Sequence, residues 1–241
     1  MLKVVFFDAA GTLFDTRNPV GTTYAEVARK YGVDTSAAQI NSAFRRVFHH
    51  SPGLAFGPGH PPDELRNLEK RWWRDLVAQS FKGLGTFTDF EAYFDDLFAR
   101  FADPATWRID AAALPTLQQL RARGLGLGMI SNFDHRLYRI LAGLGLAEEF
   151  QSITISSEAG YAKPAAEIFE TALAKHGIAL EEALHVGDSE HLDIAGATRA
   201  GIAAVLIDPK APTRLEVEGR TARISTLDAV IEAIDRLGLG A

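Results

Sequence analysis

The 241-residue sequence contains no cysteine. That absence removes disulfides, thiolate nucleophiles, cysteine-ligated zinc and thiol redox switching together, so any covalent catalysis must use another side chain. A basic excess is also missing. The net charge is −6, which argues against a nucleic-acid partner, because binding to a phosphate backbone needs clustered Lys and Arg. No apolar run approaches the length of a membrane span, and no signal-peptide pattern precedes Asp8. The expectation is a cytoplasmic protein with no nucleic-acid or membrane partner; oligomeric state is not written in the sequence. What the chain does have is 47% apolar residues, ample for one α/β core with room for a smaller second unit.

The chain is organised around its first apolar stretch. Leu2-Lys3-Val4-Val5-Phe6-Phe7 is rich in β-branched and aromatic residues and reads as a strand buried on both faces, with Asp8 at its carboxyl end. A carboxylate there is costly unless compensated, and Gly11 and Thr12 put backbone and hydroxyl donors close by. Two readings are open on these residues: a phosphate or metal site, or a loop carboxylate bonded to its own turn.

After Phe14 the apolar spacing turns helical, over about 20–31, 35–49, 62–80 and 88–101, with no strand candidate between. Residues 17–105 hold 14 of the 23 aromatic residues, enough for a small core of their own. Charge balances there at eleven of each sign, so the whole acidic excess lies in the remainder, with Asp8. We read 17–105 as an inserted helical domain and 1–16 with 106–241 as the α/β core, the chain crossing near 15–18 and 102–108. The Pro- and Gly-rich stretch Ser51–Pro62 must be a loop, either facing substrate or simply connecting. Trp72-Trp73 read as core and interface, and His49-His50 lack ligand spacing for zinc.

From Asp110 onward strands and helices alternate: helix about 111–122, strand Leu125–Ile130, helix about 134–142, strand Ser152–Ile155, helix about 165–176, strand Ala183–Val186, helix about 190–200, strand Ala203–Ile207, a short strand near Ala222–Ile224 and a last helix about 226–236. Such alternation predicts a doubly wound parallel sheet with helices on both faces, which residues 2–7 must join. Polar residues recur at the carboxyl ends of the strands, where open parallel sheets bind ligands. Ser131-Asn132 lead into a helix, as an anion site or as an N-cap. Lys163 stands immediately before Pro164, which is expected to start a helix, and taken alone it reads as a solvated charge. Gly187-Asp188 is followed by Asp193, a pair of hard oxygen ligands that suits Mg²⁺ if the turn folds them together and Ser189 does the capping. His185 reads as a core histidine.

Asp8-x-Ala10-Gly11-Thr12, Ser131-Asn132, Lys163-Pro164 and Gly187-Asp188 with Asp193, in that order after successive strands, resemble the four signature motifs of the haloacid dehalogenase superfamily. The resemblance implies a Rossmann-like core with a helical cap inserted after the first motif, and a small-molecule phosphorylated or halogenated substrate. It further implies Asp8 as nucleophile, forming an aspartyl-phosphate, with Mg²⁺ held by Asp8, the Ala10 carbonyl and Asp188, and Asp193 in support. Thr12, Ser131, Asn132 and Lys163 would hold the phosphoryl oxygens. A trianionic group meeting two carboxylates needs such a cation and lysine to offset repulsion.

The chain departs from the family pattern at Ala10, where most phosphatases of the superfamily carry a second aspartate that moves the proton. General acid–base catalysis is worth roughly 10²–10⁴ in rate, so phosphoryl transfer is expected to be slow, restricted to good leaving groups, or assisted by a cap histidine among His49, His50 and His60. Three other readings stand beside it. A phosphonoacetaldehyde hydrolase would need Lys30, Lys70 or Lys82 for a Schiff base. A haloacid dehalogenase acting on a halogenated substrate would hold halide with Arg45 or Arg46. A pseudo-enzyme would bind phosphate without turnover.

Overall fold

In the computed structural model, which describes residues 1–240, the first strand β1 (Val4–Phe7) is buried at all four positions. Its side chains alternate between two cores. Val5 and Phe7 pack with Leu127, Met129, Leu184 and Val186, whereas Val4 and Phe6 face Ile168, Phe169 and Ala172 on the other side. A strand apolar at every position has no solvent face to offer, so it can only lie in the middle of a covered sheet.

The chain leaves β1 through a tight turn into β2 (Phe14–Thr16), then forms α1 (Val20–Lys30), α2 (Ala37–His50), α3 (Pro62–Ser80) and α4 (Phe90–Ala102), and returns through β3 (Trp107–Ile109). β2 and β3 pair antiparallel, Asp15 opposite Arg108, and so tie together the two points where the chain enters and leaves the helical insert. The insert has its own core of Tyr24, Ile40, Val77, Phe81, Tyr93, Phe94 and Leu97, as its aromatic content requires.

The return leg continues with α5 (Ala113–Ala122), β4 (Gly126–Ser131), α6 (Arg136–Gly143), β5 (Ser152–Ile155), α7 (Ser156–Ala159), α8 (Ala166–His176), β6 (Ala183–Gly187), α9 (Ala195–Arg199), β7 (Ala203–Ile207), β8 (Leu215–Glu218), β9 (Thr221–Ile224) and α10 (Val230–Arg236). The seven-stranded sheet runs β5-β4-β1-β6-β7-β9-β8, parallel throughout except for β8 against β9. Strand order reverses at β1, flanked by β4 and β6, and a reversal of this kind opens a crevice at the carboxyl ends of the strands.

Several boundaries differ from the sequence expectation. β1 begins at Val4, with Leu2 buried just before it. β2, β3 and β8 were not expected, since segments of three or four residues carry too little periodicity. The helix expected from 134 starts at Arg136, because the Asp134 carboxylate takes the Arg136 main-chain N–H at 3.0 Å instead of continuing a helix. Pro164 does not start a helix: it follows a cis peptide bond, and α8 begins at Ala166. The segment expected as one helix over 190–200 is a π-helical turn, Glu190–Ile194, followed by α9.

Candidate active site

Asp8 stands one residue beyond β1, and its main-chain N–H still bonds Val186 O of β6 at 2.9 Å, so the sheet ladder itself aims the side chain into the crevice. Gly11 adopts φ +88°, and the turn closes with the Gly11 N–H on Phe14 O at 2.9 Å. The Gly11 donor expected to serve Asp8 is therefore spent on the turn. The Thr12 hydroxyl is buried with no partner. Buried hydroxyls are nearly always satisfied, and an orphan in this position points to a ligand.

Lys163 lies almost wholly buried between two carboxylates. Its Nζ is 2.8 Å from Asp8 Oδ1 and 2.6 Å from Asp193 Oδ1. Burial by itself would lower the lysine pKa, but the charges and hydrogen bonds of Asp8 and Asp193 outweigh it and raise the value, so the ammonium form persists. Asp193 is the most committed carboxylate of the group. Its Oδ1 also accepts from His185 Nε2 at 2.8 Å, and its Oδ2 accepts the Ser189 main-chain N–H at 3.0 Å. Burial works to raise its pKa, but Lys163 and His185 together hold it below the ordinary range. His185, expected to be a plain core residue, is buried and also works as a donor to this carboxylate.

Asp188 keeps more surface open to solvent than the other two, yet the protein atoms packed round its carboxyl group partly desolvate it, and that loss of hydration, with the charges of Asp8 and Asp193, pushes its pKa up to about 6. Asp8, Asp188 and Asp193 each offer an oxygen, all within 4.8 Å of one another. Ser189 takes the capping role expected of it, accepting the Leu192 N–H at 3.1 Å and leaving both aspartates free of that duty. Ala10, half-buried, bridges to Phe14 and brings only a methyl group.

Ser131 is buried at the end of β4. Asn132 turns toward the lysine: its Nδ2 donates to Lys163 O at 2.9 Å and its Oδ1 accepts from Lys163 N at 2.7 Å. The amide thus clamps the lysine backbone, a use that no local pattern announces. The three histidines considered as substitute acids are engaged with the insert or exposed: His49 is exposed, His50 Nδ1 bonds Arg46 O at 2.7 Å, and His60 bonds Phe56 O at 2.8 Å and lies 3.3 Å from Glu64.

The loop 51–61 docks on the core beside this site. Leu54 O accepts the Ser156 hydroxyl at 2.6 Å, the Gly57 N–H donates to Gly160 O at 3.2 Å, and a Cβ at Gly53 would sit 2.9 Å from Ala162 Cβ, next to Lys163. Sequence reasoning missed a second polar cluster at the junction of insert and core, formed by Glu69, Trp73, Asp134, His135 and Arg136. Nothing in the local sequence marks Glu69 as buried.

A family model described as haloacid dehalogenase-like hydrolase matches residues 2–201. The chain is 33% identical, over 98% of its own length and 95% of the relative's, to the haloacid dehalogenase-like hydrolase domain-containing protein 3 of Bos taurus. It is 28% identical to a phosphoserine phosphatase of Thermus thermophilus, covering 86% of this chain and 89% of that one. Among solved structures, a 2-haloacid dehalogenase from Pseudomonas syringae matches with TM-score 0.66 at 24% identity, over 98% of this chain and 99% of the other, a likeness of fold. With the family model spanning most of the sequence and the parallel sheet carrying the motif residues at one rim, this chain belongs to the haloacid dehalogenase-like hydrolases.

Proposed function

We propose that the protein is a Mg²⁺-dependent phosphatase acting through a phosphoryl group carried by Asp8, with a preference for good leaving groups. The observation that carries this reading is the buried Lys163 held between Asp8 and Asp193, beside the partnerless Thr12 hydroxyl. Three carboxylates gathered within 4.8 Å against one ammonium leave net negative charge at the place where an anionic substrate must enter. Hard oxygen donors in that arrangement suit Mg²⁺. Asp8, the Ala10 carbonyl and Asp188 would hold the ion, with Asp193 in support. When bound, it supplies positive charge to the transferring phosphoryl oxygens.

The chain's own residues divide the remaining work. Lys163 occupies Asp8 Oδ1, which leaves the other carboxylate oxygen for attack. That oxygen bonds to phosphorus, and the bond from phosphorus to the leaving oxygen breaks, its electron pair departing with the leaving group. Thr12 and Ser131 offer hydroxyl donors to the phosphoryl oxygens, and Lys163 offsets their charge. Water then attacks phosphorus, the acyl-phosphate bond between the Asp8 oxygen and phosphorus breaks with its electron pair returning to the carboxylate, and phosphate leaves carrying the water's oxygen, one water proton staying on it and the other passing to solvent. With a methyl group at Ala10, no carboxyl from this turn protonates the leaving oxygen, so acyl phosphates and acidic alcohols are favoured.

The carbon-attacking alternative is disfavoured by Asp188. An ideal Cβ at Gly11 would lie 2.5 Å from its Oδ2, so this second carboxylate crowds the nucleophile's turn and would repel a haloacid. Incubation with acetyl phosphate and Mg²⁺, followed by mass spectrometry, tests the reading: a phosphoryl adduct on Asp8, absent in Asp8→Asn and without Mg²⁺, is expected. An adduct that forms from a haloacid without Mg²⁺, or no adduct under either condition, would overturn it.

A further inference from the structure

The second polar cluster joins the helical insert to the same turn that clamps Lys163. Residues 134–136 follow Ser131-Asn132 after Phe133 and make contacts with both α3 and α4. Asp134 is fully buried, and its carboxylate accepts from Arg136 N at 3.0 Å, Arg136 Nε at 2.8 Å, Arg136 Nη2 at 2.6 Å and Trp73 Nε1 of α3 at 2.6 Å. The Arg136 guanidinium lies over the Phe98 ring at 3.9 Å and the Trp73 ring at 5.0 Å. Glu69, also on α3, is fully buried with both oxygens on one residue of the core: Oε1 accepts the His135 main-chain N–H at 3.3 Å, and Oε2 meets His135 Nδ1.

A buried carboxylate is a poor way to attach two bodies, since an apolar residue of similar size is often neutral or better. What a carboxylate does that an apolar residue cannot is grip a main-chain N–H in one position. The main chain gripped here is three residues from Asn132, whose side chain bonds the Lys163 backbone at both N and O. Two sets of hydrogen bonds, Glu69 to His135 and Asn132 to Lys163, are therefore joined by the covalent turn 132–135, and together they link α3 to the residue that touches Asp8. Glu69, Asp134 and His135 have the spacing of a metal site, but both Asp134 oxygens are already filled and Arg136 brings the compensating charge, so the cluster reads as an ion-pair network.

We propose that Glu69 is a positioning residue: by docking on His135 it sets the Ser131–Asn132 turn, and through Asn132 it sets Lys163. This rests on the reading of Lys163 and Asp8 as the reacting centre. The docked insert and the reactive geometry are then one arrangement, so a substrate that keeps the insert from seating disorders the lysine as well.

Full-length Glu69→Leu and Glu69→Gln test the proposal, the first removing both acceptors and the second keeping one acceptor and the shape. Two readouts separate it from the function above. The first is hydrogen exchange of the Lys163 amide, which does not depend on turnover. Its exchange is expected to quicken by about tenfold in Glu69→Leu and to recover in Glu69→Gln. The second is steady-state hydrolysis of p-nitrophenyl phosphate with Mg²⁺, where Glu69→Leu is expected to lose about a hundredfold in kcat with little change in KM, since misplacement of about 1 Å costs that much. An Lys163 amide equally protected in Glu69→Leu, or a kcat equal to wild type, overturns the proposal and leaves Glu69 as an attachment point only. If wild type hydrolyses no phosphate ester, the functional reading fails and the exchange measurement alone decides. If Glu69→Leu does not fold, His135→Ala removes the side-chain partner of Glu69 Oε2 and is judged by the same exchange criterion.

Discussion

An ideal Cβ built on Gly187 would lie 2.1 Å from Cγ of Asp193, so the carboxylate that anchors Lys163 occupies the space a glycine leaves open. The strand β6 ends at this glycine because the π-helical turn after it folds Asp193 back against the backbone, where it meets both Lys163 and His185.

Gly187→Ala should therefore act on the lysine through the aspartate. No rotamer of the exchanged residue relieves a clash with a Cβ, so Asp193 must move. The expected cost is about 1–3 kcal/mol in stability, together with a fall in turnover of about a hundredfold from the displaced lysine. Thermal melting and steady-state kinetics check this, and a variant with wild-type turnover would contradict the geometry.

Asp188 gives the metal-free protein a pH dependence of definite sign. Its pKa stands at about 6 in the folded chain against an ordinary 3.8. Between these values the folded protein binds a proton that the unfolded chain has released, so the group's stabilising contribution is complete below the lower value and lost as pH rises through the upper one. In EDTA, the melting temperature of wild type relative to Asp188→Asn should fall from about pH 4 to about pH 7. Bound as proposed, Mg²⁺ would take the ionised form, so the melting temperature gained on adding Mg²⁺ should grow across the same window. Parallel curves for the two proteins would count against the raised pKa.

Ala10→Asp places a carboxyl group where the resemblance expects most phosphatases of the family to carry one. Turnover of alkyl and aryl phosphates should rise, by up to roughly 10²–10⁴ for the poorest leaving groups, with acetyl phosphate affected least. A uniform change across leaving groups, measured as a series of rates against leaving-group pKa, would show that proton transfer is not what Ala10 lacks.

Gly160 holds the docking loop. It adopts φ +78°, and a Cβ there would meet the Gly57 carbonyl carbon at 2.3 Å. Gly160→Ala should undock residues 51–61 at a cost of about 1–3 kcal/mol, seen as faster limited proteolysis within that loop while the core stays intact. Unchanged cleavage would mean that the loop's seat does not depend on this contact.

The first strand and its terminal aspartate were legible because burial on both faces leaves an unbroken apolar run, and a carboxylate closing such a run stands out. The alternation of strands and helices beyond Asp110 likewise named the parallel sheet, and helical spacing with aromatic content marked the stretch that forms α1 to α4 with an apolar cluster of its own. The paired strands at the neck were not legible, since three residues carry no period and β2 and β3 find each other only across the whole insert.

At the site, Asp8 and the Asp188–Asp193 pair were marked by the ends of the strands before them, and Lys163 only by the order of motifs that carries the family resemblance. Their division of labour was not. Asp193 holding Lys163, His185 holding Asp193, Asn132 spent on the lysine backbone and Glu69 buried against His135 are pairings between residues 8 to 66 apart in sequence. Sequence alone settled which chemical groups reach the rim, since strand periodicity and local turns are short-range properties. Which of those groups neutralises which was decided only when folding brought distant charges into one poorly solvated space, where each must find a partner or stay uncharged.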